Sequence, residues 1–213
     1  EVLSEMNEIS AANETMADLV SFLGAGAYNH YIPAVVDSIL RRGEFYTAYT
    51  PYQPELSQGT LQAIFEYQSL ITALTGMDVS NASHYDGATA CAEAVTLAVA
   101  HFRGKRKKVV LSPALHPHYR QTVRTYNNAS GLEIIGDEES VDLSQGYQAL
   151  LPLIDNQTAI VIVQYPDFLG RAYDYTALAQ AAHQAGALLS ISVNPMALGI
   201  LTPPAEFGAD IVT

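Results

Sequence analysis

A glycine and a threonine at the start of a predicted helix form the first group whose types and spacing could do chemistry. Gly87 and Thr89 follow a strand that we predict near residues 78–84, and they lie where a helix predicted over 88–103 begins. The main-chain N–H groups and the dipole of a helix N-terminus can hold a phosphate. Asp86 precedes both residues, and its carboxylate would serve as an N-cap while repelling a phosphate. We therefore favour a helix start capped by Asp86, with a phosphate site as the alternative.

Two histidines and an asparagine come after other predicted strands. His116 and His118 follow the predicted strand 108–112, and Asn194 follows the predicted strand 187–193. The His-x-His spacing could indicate a metal site, but the sequence offers no further cluster of ligands to support it. Parallel sheets bind ligands at their carboxyl edge. We expect His116 and Asn194 to be either ligand-facing groups or satisfied structural residues, and His118 to lie on the surface.

Tyrosines are concentrated in one short part of the chain. The sequence has 13 tyrosines, and those between residues 28 and 52 show neither a helical nor a strand period. They are Tyr28, Tyr31, Tyr46, Tyr49 and Tyr52. Aromatic rings with polar tips are typical of pockets and interfaces, whereas a core would favour Phe and Leu. The pattern therefore predicts a pocket or an interface in this segment.

The composition excludes several classes of protein. Asp and Glu number 22 against 10 Lys and Arg, which gives a net charge of −12 and argues against nucleic acid or an anionic membrane as the main partner. Hydrophobic residues make up 49% of the chain, as in an ordinary folded domain, yet no apolar run is long enough to span a membrane. The single cysteine, Cys91, lies in a predicted Ala-rich helix, which favours core packing and a reducing compartment.

All three lysines of the chain lie in one basic run. Lys105, Lys107 and Lys108 stand beside Arg103 and Arg106, between a predicted helix and a predicted strand. Cations suit the C-terminal end of a helix, so we favour a solvated helix end here. A patch that binds phosphate or nucleic acid is the alternative.

Strands and helices alternate along most of the chain. We predict helices over residues 1–20, 33–42, 55–75, 88–103, 117–129, 145–153 and 174–185, and strands over 78–84, 108–112, 132–136, 158–164, 187–193 and 209–212. This alternation is typical of a parallel sheet with helices on both faces. The sequence ends at Thr213, on or just past the last predicted strand, so we expect more of the domain to follow.

Several of these segments resemble the P-protein family of the glycine cleavage system. The resemblance is strongest over residues 22–69, which include the runs FLGAG at 22–26 and YTAYTPYQPELSQG at 46–59. It continues through YDGATA at 85–90, LHP at 115–117 and GADIV at 208–212, and it covers nearly the whole chain. The segments are most similar to the N-terminal half of the family, which in many prokaryotes is a separate subunit 1. Whether the chain belongs to a split subunit or to a fused protein stays open.

The resemblance implies a fold and an activity. The fold is α/β, the aminotransferase-like large domain of fold type I pyridoxal phosphate (PLP) enzymes, with a mostly parallel sheet that is truncated at its C-terminal end. Residues 1–75 are then a helical and aromatic interface segment, and residues 76–213 are the incomplete large domain. In the implied activity, glycine loses CO2 and its aminomethyl group passes to the lipoyl group of H-protein, in the cytoplasm.

The lysines indicate where the cofactor is expected. PLP forms a Schiff base with a lysine and acts as the electron sink, and the resemblance implies that this lysine belongs to the C-terminal half, or subunit 2. None of the three lysines here follows a strand in the second half of the chain. The resemblance therefore implies that PLP is held by the partner subunit and that this chain alone has no catalytic residue.

Four positions resemble the remnants of a PLP site. Gly87 and Thr89 match the phosphate loop of active relatives, and His116 matches a ring that stacks on the pyridine. Asn194 stands where an aspartate often pairs with the pyridine nitrogen, and an uncharged amide would hold the protonated ring less well. Asp86 would oppose a phosphate, which agrees with a vestigial site.

The tyrosine-rich segment is the expected contribution of this chain to a shared active site. The side chains that would form a wall near glycine or the lipoyl arm are Asn29, His30, Tyr46, Tyr49, Tyr52 and Gln53. Two other classes remain open. One is a self-sufficient PLP-dependent decarboxylase or aminotransferase whose lysine lies beyond Thr213, and the other is a scaffold that never touches substrate.

Overall fold

The computed structural model describes residues 1–16, 18–20, 22, 29–46 and 50–213, which fall into two compact units. The first unit, Glu1–Tyr49, contains the helices α1 (Val2–Ala11), α2 (Ala34–Leu40) and α3 (Gly43–Tyr46). The second unit, Thr50–Thr213, contains the sheet.

Helix α1 is shorter than the predicted helix 1–20 because polar side chains bond the backbone beyond its end. The side-chain amide of Asn13 donates to the carbonyl of Ser10 at 3.1 Å. The N–H and hydroxyl of Thr15 donate to the carboxylate of Asp18 at 3.2 and 2.8 Å. Such local bonds offer the backbone an alternative to helical hydrogen bonding.

The second unit begins with helix α4 (Gln58–Thr75), which ends at Gly76 in the left-handed conformation. The prediction of a strand over residues 78–84 is wrong, because residues 76–86 form a loop. The N–H of Ser83 donates to the side-chain oxygen of Asn81 at 3.0 Å, and Ser83 has a φ of 101°. An Asx turn of this kind replaces the pairing that a strand would need.

Five parallel strands form one sheet in the order β2-β1-β3-β4-β5. They are β1 (Lys108–Leu111), β2 (Glu133–Ile135), β3 (Thr158–Tyr165), β4 (Leu188–Val193) and β5 (Ile211–Val212). Strand β3 is central, and its Val161 pairs with Val110 of β1 and Leu189 of β4. The predicted α/β class with a parallel sheet is confirmed.

Helices cover both faces of this sheet. Helices α5 (Gly87–His101) and α6 (Pro117–Tyr126) pack on one face. Helix α7 (Thr176–Gln184) covers the other face with two 3₁₀ helices, Leu143–Leu153 and Pro204–Phe207. Strand β3 supplies Ile160 to the first core and Val161 to the second. Successive side chains point to opposite faces, and both faces are covered by helices, which is why residues 159–163 of β3 are all apolar.

The basic run lies at the amino edge of the sheet. Arg106 Nη1 donates to the carbonyls of Thr158 and Ala185, at 2.8 Å each, and its guanidinium lies 4.9 Å from the ring centroid of Phe102. Arg106 thereby joins the start of β3 to the end of α7. Arg103 is exposed, as the solvated helix end requires, so the run combines a structural residue with surface cations.

Among the residues that the structure describes, every helix is too short or too polar to traverse a lipid bilayer.

Helix α4 packs within the second unit, where it contacts the 3₁₀ helix Pro195–Gly199. The division into domains after residue 75 stays a prediction.

Replacing Arg106 tests its role at the amino edge. We expect Arg106→Met in the full-length chain to lower the free energy of unfolding by about 1–3 kcal/mol, because the carbonyls of Thr158 and Ala185 lose a charged donor. Urea unfolding followed by circular dichroism measures the change. The exposed Arg103→Met is the matched control, and it should shift stability by less than about 0.5 kcal/mol. Equal losses in both variants would contradict the role assigned to Arg106.

Candidate functional site

The carboxyl ends of β1, β3 and β4 bring the polar residues that follow them to one edge of the sheet. His116 follows β1, Gln164 lies near the end of β3, and Asn194 follows β4. The main-chain N–H of His116 donates to Gln164 Oε1 at 2.8 Å, and that of Asn194 donates to the carbonyl of Tyr165 at 3.1 Å. Sequence analysis missed Gln164, although a polar residue near the end of an apolar strand was a signal for it.

The imidazole of His116 caps helix α6. Its Nδ1 accepts the main-chain N–H of His118 at 3.1 Å, and Pro117 occupies the first helical position, where a missing N–H costs nothing. Because Nδ1 is the acceptor in this bond, a neutral ring carries its proton on Nε2. His118 is exposed, as predicted.

Aromatic rings of the same chain surround His116. Its ring centroid lies 5.2 Å from that of Tyr119 and 5.0 Å from that of Phe168. The loop after β3 fixes Phe168, whose N–H donates to the carbonyl of Ala114 at 2.8 Å. In that loop the buried carboxylate of Asp167 accepts Arg171 Nε at 2.8 Å. Sequence analysis did not identify this loop as part of the edge.

At the start of α5, Asp86 is the N-cap. Its Oδ1 accepts the N–H of Thr89 at 2.8 Å and the Thr89 hydroxyl at 3.1 Å. The N–H of Thr89 is the main reason that the pKa of Asp86 lies below its ordinary value. The preferred interpretation of this helix start is therefore confirmed, and the carboxylate itself occupies the anion-binding end of the helix.

Gly87 leaves room for a tyrosine. A Cβ atom built on Gly87 would lie 2.2 Å from Tyr119 Oη, far inside contact distance. Gly87 does not have a positive φ, so its backbone conformation does not require glycine. Burial raises the pKa of Tyr119, and the nearby Cys91 and Asp86 raise it further. Burial also raises the pKa of the Cys91 thiol to about 12, in agreement with core packing.

Asn194 also caps the element that follows it. Its side-chain oxygen accepts the N–H of Met196 at 3.0 Å at the start of the 3₁₀ helix Pro195–Gly199. Asp86, His116 and Asn194 therefore share one local role, since each accepts a main-chain N–H two or three residues further along. This geometry favours the structural interpretation of His116 and Asn194.

The described residues do not fit the PLP that the resemblance implies. The anion-binding end of α5 already holds the carboxylate of Asp86, and the Thr89 hydroxyl donates to that carboxylate. Lys108 begins β1 at the amino edge of the sheet, whereas His116 follows the other end of the same strand. The Nζ of Lys108 donates to Asp155 at 2.8 Å. Lys105 and Lys107 precede it in the same run. None of the three lysines reaches the carboxyl edge.

The predicted wall residues lie on exposed parts of the two units. Asn29, His30 and Tyr46 are exposed in the first unit, and Tyr52 and Gln53 are exposed in the second. Tyr49 lies outside the described residues. The wall therefore stays a prediction.

The other candidates for a functional site are a metal site and a separate cleft. Within the described ranges, no group of three or more His, Cys, Asp or Glu is arranged to hold a metal ion. A cleft of about 450 Å³ lies at the C-terminal end of α5, where Val99, Arg103 and Lys107 line it. It contains none of the predicted site residues.

Comparisons with known proteins identify relatives over the whole chain. The family model described as glycine cleavage system P-protein matches residues 1–213. The probable glycine dehydrogenase (decarboxylating) subunit 1 of Thermomicrobium roseum is 54% identical over 213 residues, which are 100% of this chain and 47% of that protein. The corresponding protein of Geobacillus kaustophilus is 52% identical over 215 positions, with the same coverage. The chain thus spans about half the length of these relatives.

One solved structure is similar over nearly the whole chain. It is a crystal structure of glycine decarboxylase (P-protein) of the glycine cleavage system in an inhibitor-bound form. It superposes with a TM-score of 0.88 at 44% identity, over 99% of this chain and 46% of that one. The predicted large-domain fold is confirmed by this similarity.

The cap formed by Asp86 predicts a pH-dependent contribution to stability. We expect Asp86→Ala to lower the midpoint of urea unfolding at pH 7, because the carboxylate no longer accepts the N–H of Thr89. The folded-state pKa lies below the ordinary 3.8, so the contribution is complete above that value and disappears as pH falls through the lower folded pKa. The difference between wild type and variant should therefore vanish at acid pH. Asp78→Ala, in the exposed preceding loop, is the control, and a pH-independent difference would contradict the assignment.

Proposed function

Because this chain belongs to the glycine cleavage system P-protein family, we propose that it is part of the N-terminal half, or subunit 1, of a glycine decarboxylase whose PLP is held by a partner subunit. The whole assembly releases CO2 from glycine and passes the aminomethyl group to the lipoyl group of H-protein. Its curated relatives are named as subunit 1, which supports the existence of a second subunit. The single buried cysteine, Cys91, agrees with a cytoplasmic location.

The position of the lysines carries this proposal. A Schiff base with PLP needs a lysine beside the cofactor, and the lysines of this chain lie at or before the amino end of β1. The carboxyl edge of the sheet instead presents His116, Gln164 and Asn194. A chain with this arrangement supports catalysis by shaping the site of its partner.

The role of this chain is then to form one wall of the shared site. PLP supplies the electron sink for decarboxylation when it is bound to the partner. The exposed side chains of Asn29, His30, Tyr46, Tyr52 and Gln53 carry hydroxyl, amide and imidazole groups that can orient a small polar substrate. Tyrosine rings also exclude water while their hydroxyls make hydrogen bonds. Such a wall favours transfer to the lipoyl arm over loss of the aminomethyl group to water.

An absorbance experiment tests whether PLP is bound by this chain or by its partner subunit. We expect the full-length chain, incubated with PLP and freed of excess, to show no aldimine band, because none of the three lysines in residues 1–213 lies at the carboxyl edge of this sheet. Adding the partner subunit should produce the band together with glycine-dependent CO2 exchange. A stable aldimine band and exchange activity from the full-length chain alone would contradict the proposal and favour the self-sufficient PLP enzyme.

Conservative substitutions test the wall. We expect Tyr49→Phe or Tyr52→Phe to reduce turnover of the reconstituted enzyme by roughly 2- to 10-fold, the loss that one hydrogen bond accounts for. Tyr31→Phe is the matched control, because Tyr31 is an exposed tyrosine of the same segment that is not among the wall residues.

Assembly must be measured beside turnover, by size-exclusion chromatography of each reconstituted variant. Wild-type turnover in both variants would remove these residues from the wall. Altered assembly with normal turnover per assembled enzyme would favour the scaffold instead.

A further inference from the structure

The space between His116 and the start of α5 is filled by a side chain of this chain. We propose that Tyr119 is an internal plug that closes the cofactor cavity of this half, with Asp86 standing in for the phosphate. The inference rests on the proposed function, in which this half carries no PLP. It gives a physical reason why this half holds no PLP, and this reason does not depend on where the lysines of the chain lie.

The first observation is the contact between Tyr119 and Gly87. The Tyr119 hydroxyl lies only 2.2 Å from where a Gly87 Cβ would stand, with its ring carbon Cζ at 2.8 Å. The phenol therefore occupies the space directly over the first residue of α5. Because the φ of Gly87 is one that any residue adopts, glycine at this position is required by the tyrosine.

The second observation is the contact between the rings of Tyr119 and His116. The Tyr119 and His116 centroids are 5.2 Å apart, with an interplanar angle of 38°. Tyr119 thus extends from the residue that resembles a pyridine-stacking group to the glycine that resembles a phosphate loop. An aromatic ring of the chain itself fills the interval between these two positions, and it packs against the core that contains Cys91.

The third observation is the charge at the end of this interval. The carboxylate of Asp86 accepts the N–H of Thr89 at 2.8 Å. A ring beside His116 and an anion on the helix N-terminus are the two groups that a pyridine phosphate would bring. Tyr119 and Asp86 supply both from within the chain, so the site is filled by the chain's own side chains.

Opening the cavity should therefore restore binding. The test uses the full-length chain assembled with its partner, whose own site is first saturated with PLP. The probe is pyridoxine 5′-phosphate, which lacks an aldehyde and so cannot form an imine with Lys105 or Lys107. Equilibrium dialysis gives the number of probe molecules that bind each copy of this chain.

We expect the double variant Tyr119→Ala/Asp86→Ser to bind about one equivalent with a Kd below about 100 µM. The serine keeps an N-cap oxygen while removing the charge. Wild type and Tyr119→Phe, which retains the ring, should bind more weakly than about 1 mM. Tyr119→Ala alone should bind about tenfold more weakly than the double variant, because the Asp86 carboxylate still repels the phosphate.

The outcomes separate the plug from the proposed function. Thermal unfolding, with and without probe, shows whether each variant is folded, and bound probe should raise the unfolding temperature of the double variant. A double variant that folds and assembles but binds no probe overturns the plug alone. Equal binding by Tyr119→Phe and Tyr119→Ala also overturns it. One equivalent bound by the wild-type chain overturns both the plug and the assignment of PLP to the partner.

Discussion

The parallel direction of the strands is the constraint on which the rest of the second unit depends. All five strands run the same way, so their carboxyl ends meet at one edge and their amino ends at the other. Residues 159–163 of strand β3 are all apolar because they are buried between two helical layers. The polar residues Thr158 and Gln164 of β3 lie towards its two ends, whereas β4 buries Ser190 and Ser192 within the sheet. The chemistry of the unit is decided by which groups stand at which edge.

The two edges differ in what their polar groups do. At the amino edge, Arg106 and Lys108 bond carbonyls and a carboxylate across separate elements. At the carboxyl edge, Asp86, His116 and Asn194 each cap the helix that follows them. The cap at Asn194 uses the side-chain oxygen that pairing with a pyridine nitrogen would require. The edge where related folds bind ligands is therefore occupied by bonds that the chain makes with itself.

Sequence patterns predicted the elements well where burial dictates periodicity. The strands β1, β3 and β4 and the helices α4, α5 and α7 lie within a few residues of their predicted positions. The predictions failed where local side-chain bonding competes with a regular backbone, as in the Asx turn at Asn81 and beyond the end of α1. Hydrophobic periodicity carries no information on such competition, because it is decided by single polar atoms.

The sequence by itself determined the family, the acidic charge, the fold class and the confinement of the lysines to one run. These properties depend on composition and on local order, which a sequence displays directly. Only the tertiary structure decided that Tyr119 lies against Gly87, that Gln164 holds the backbone of His116, and that Arg106 joins β3 to α7. These contacts link residues far apart in the chain. The first contact exists because α6 packs beside α5, and the other two exist because β1 and β4 both pair with β3.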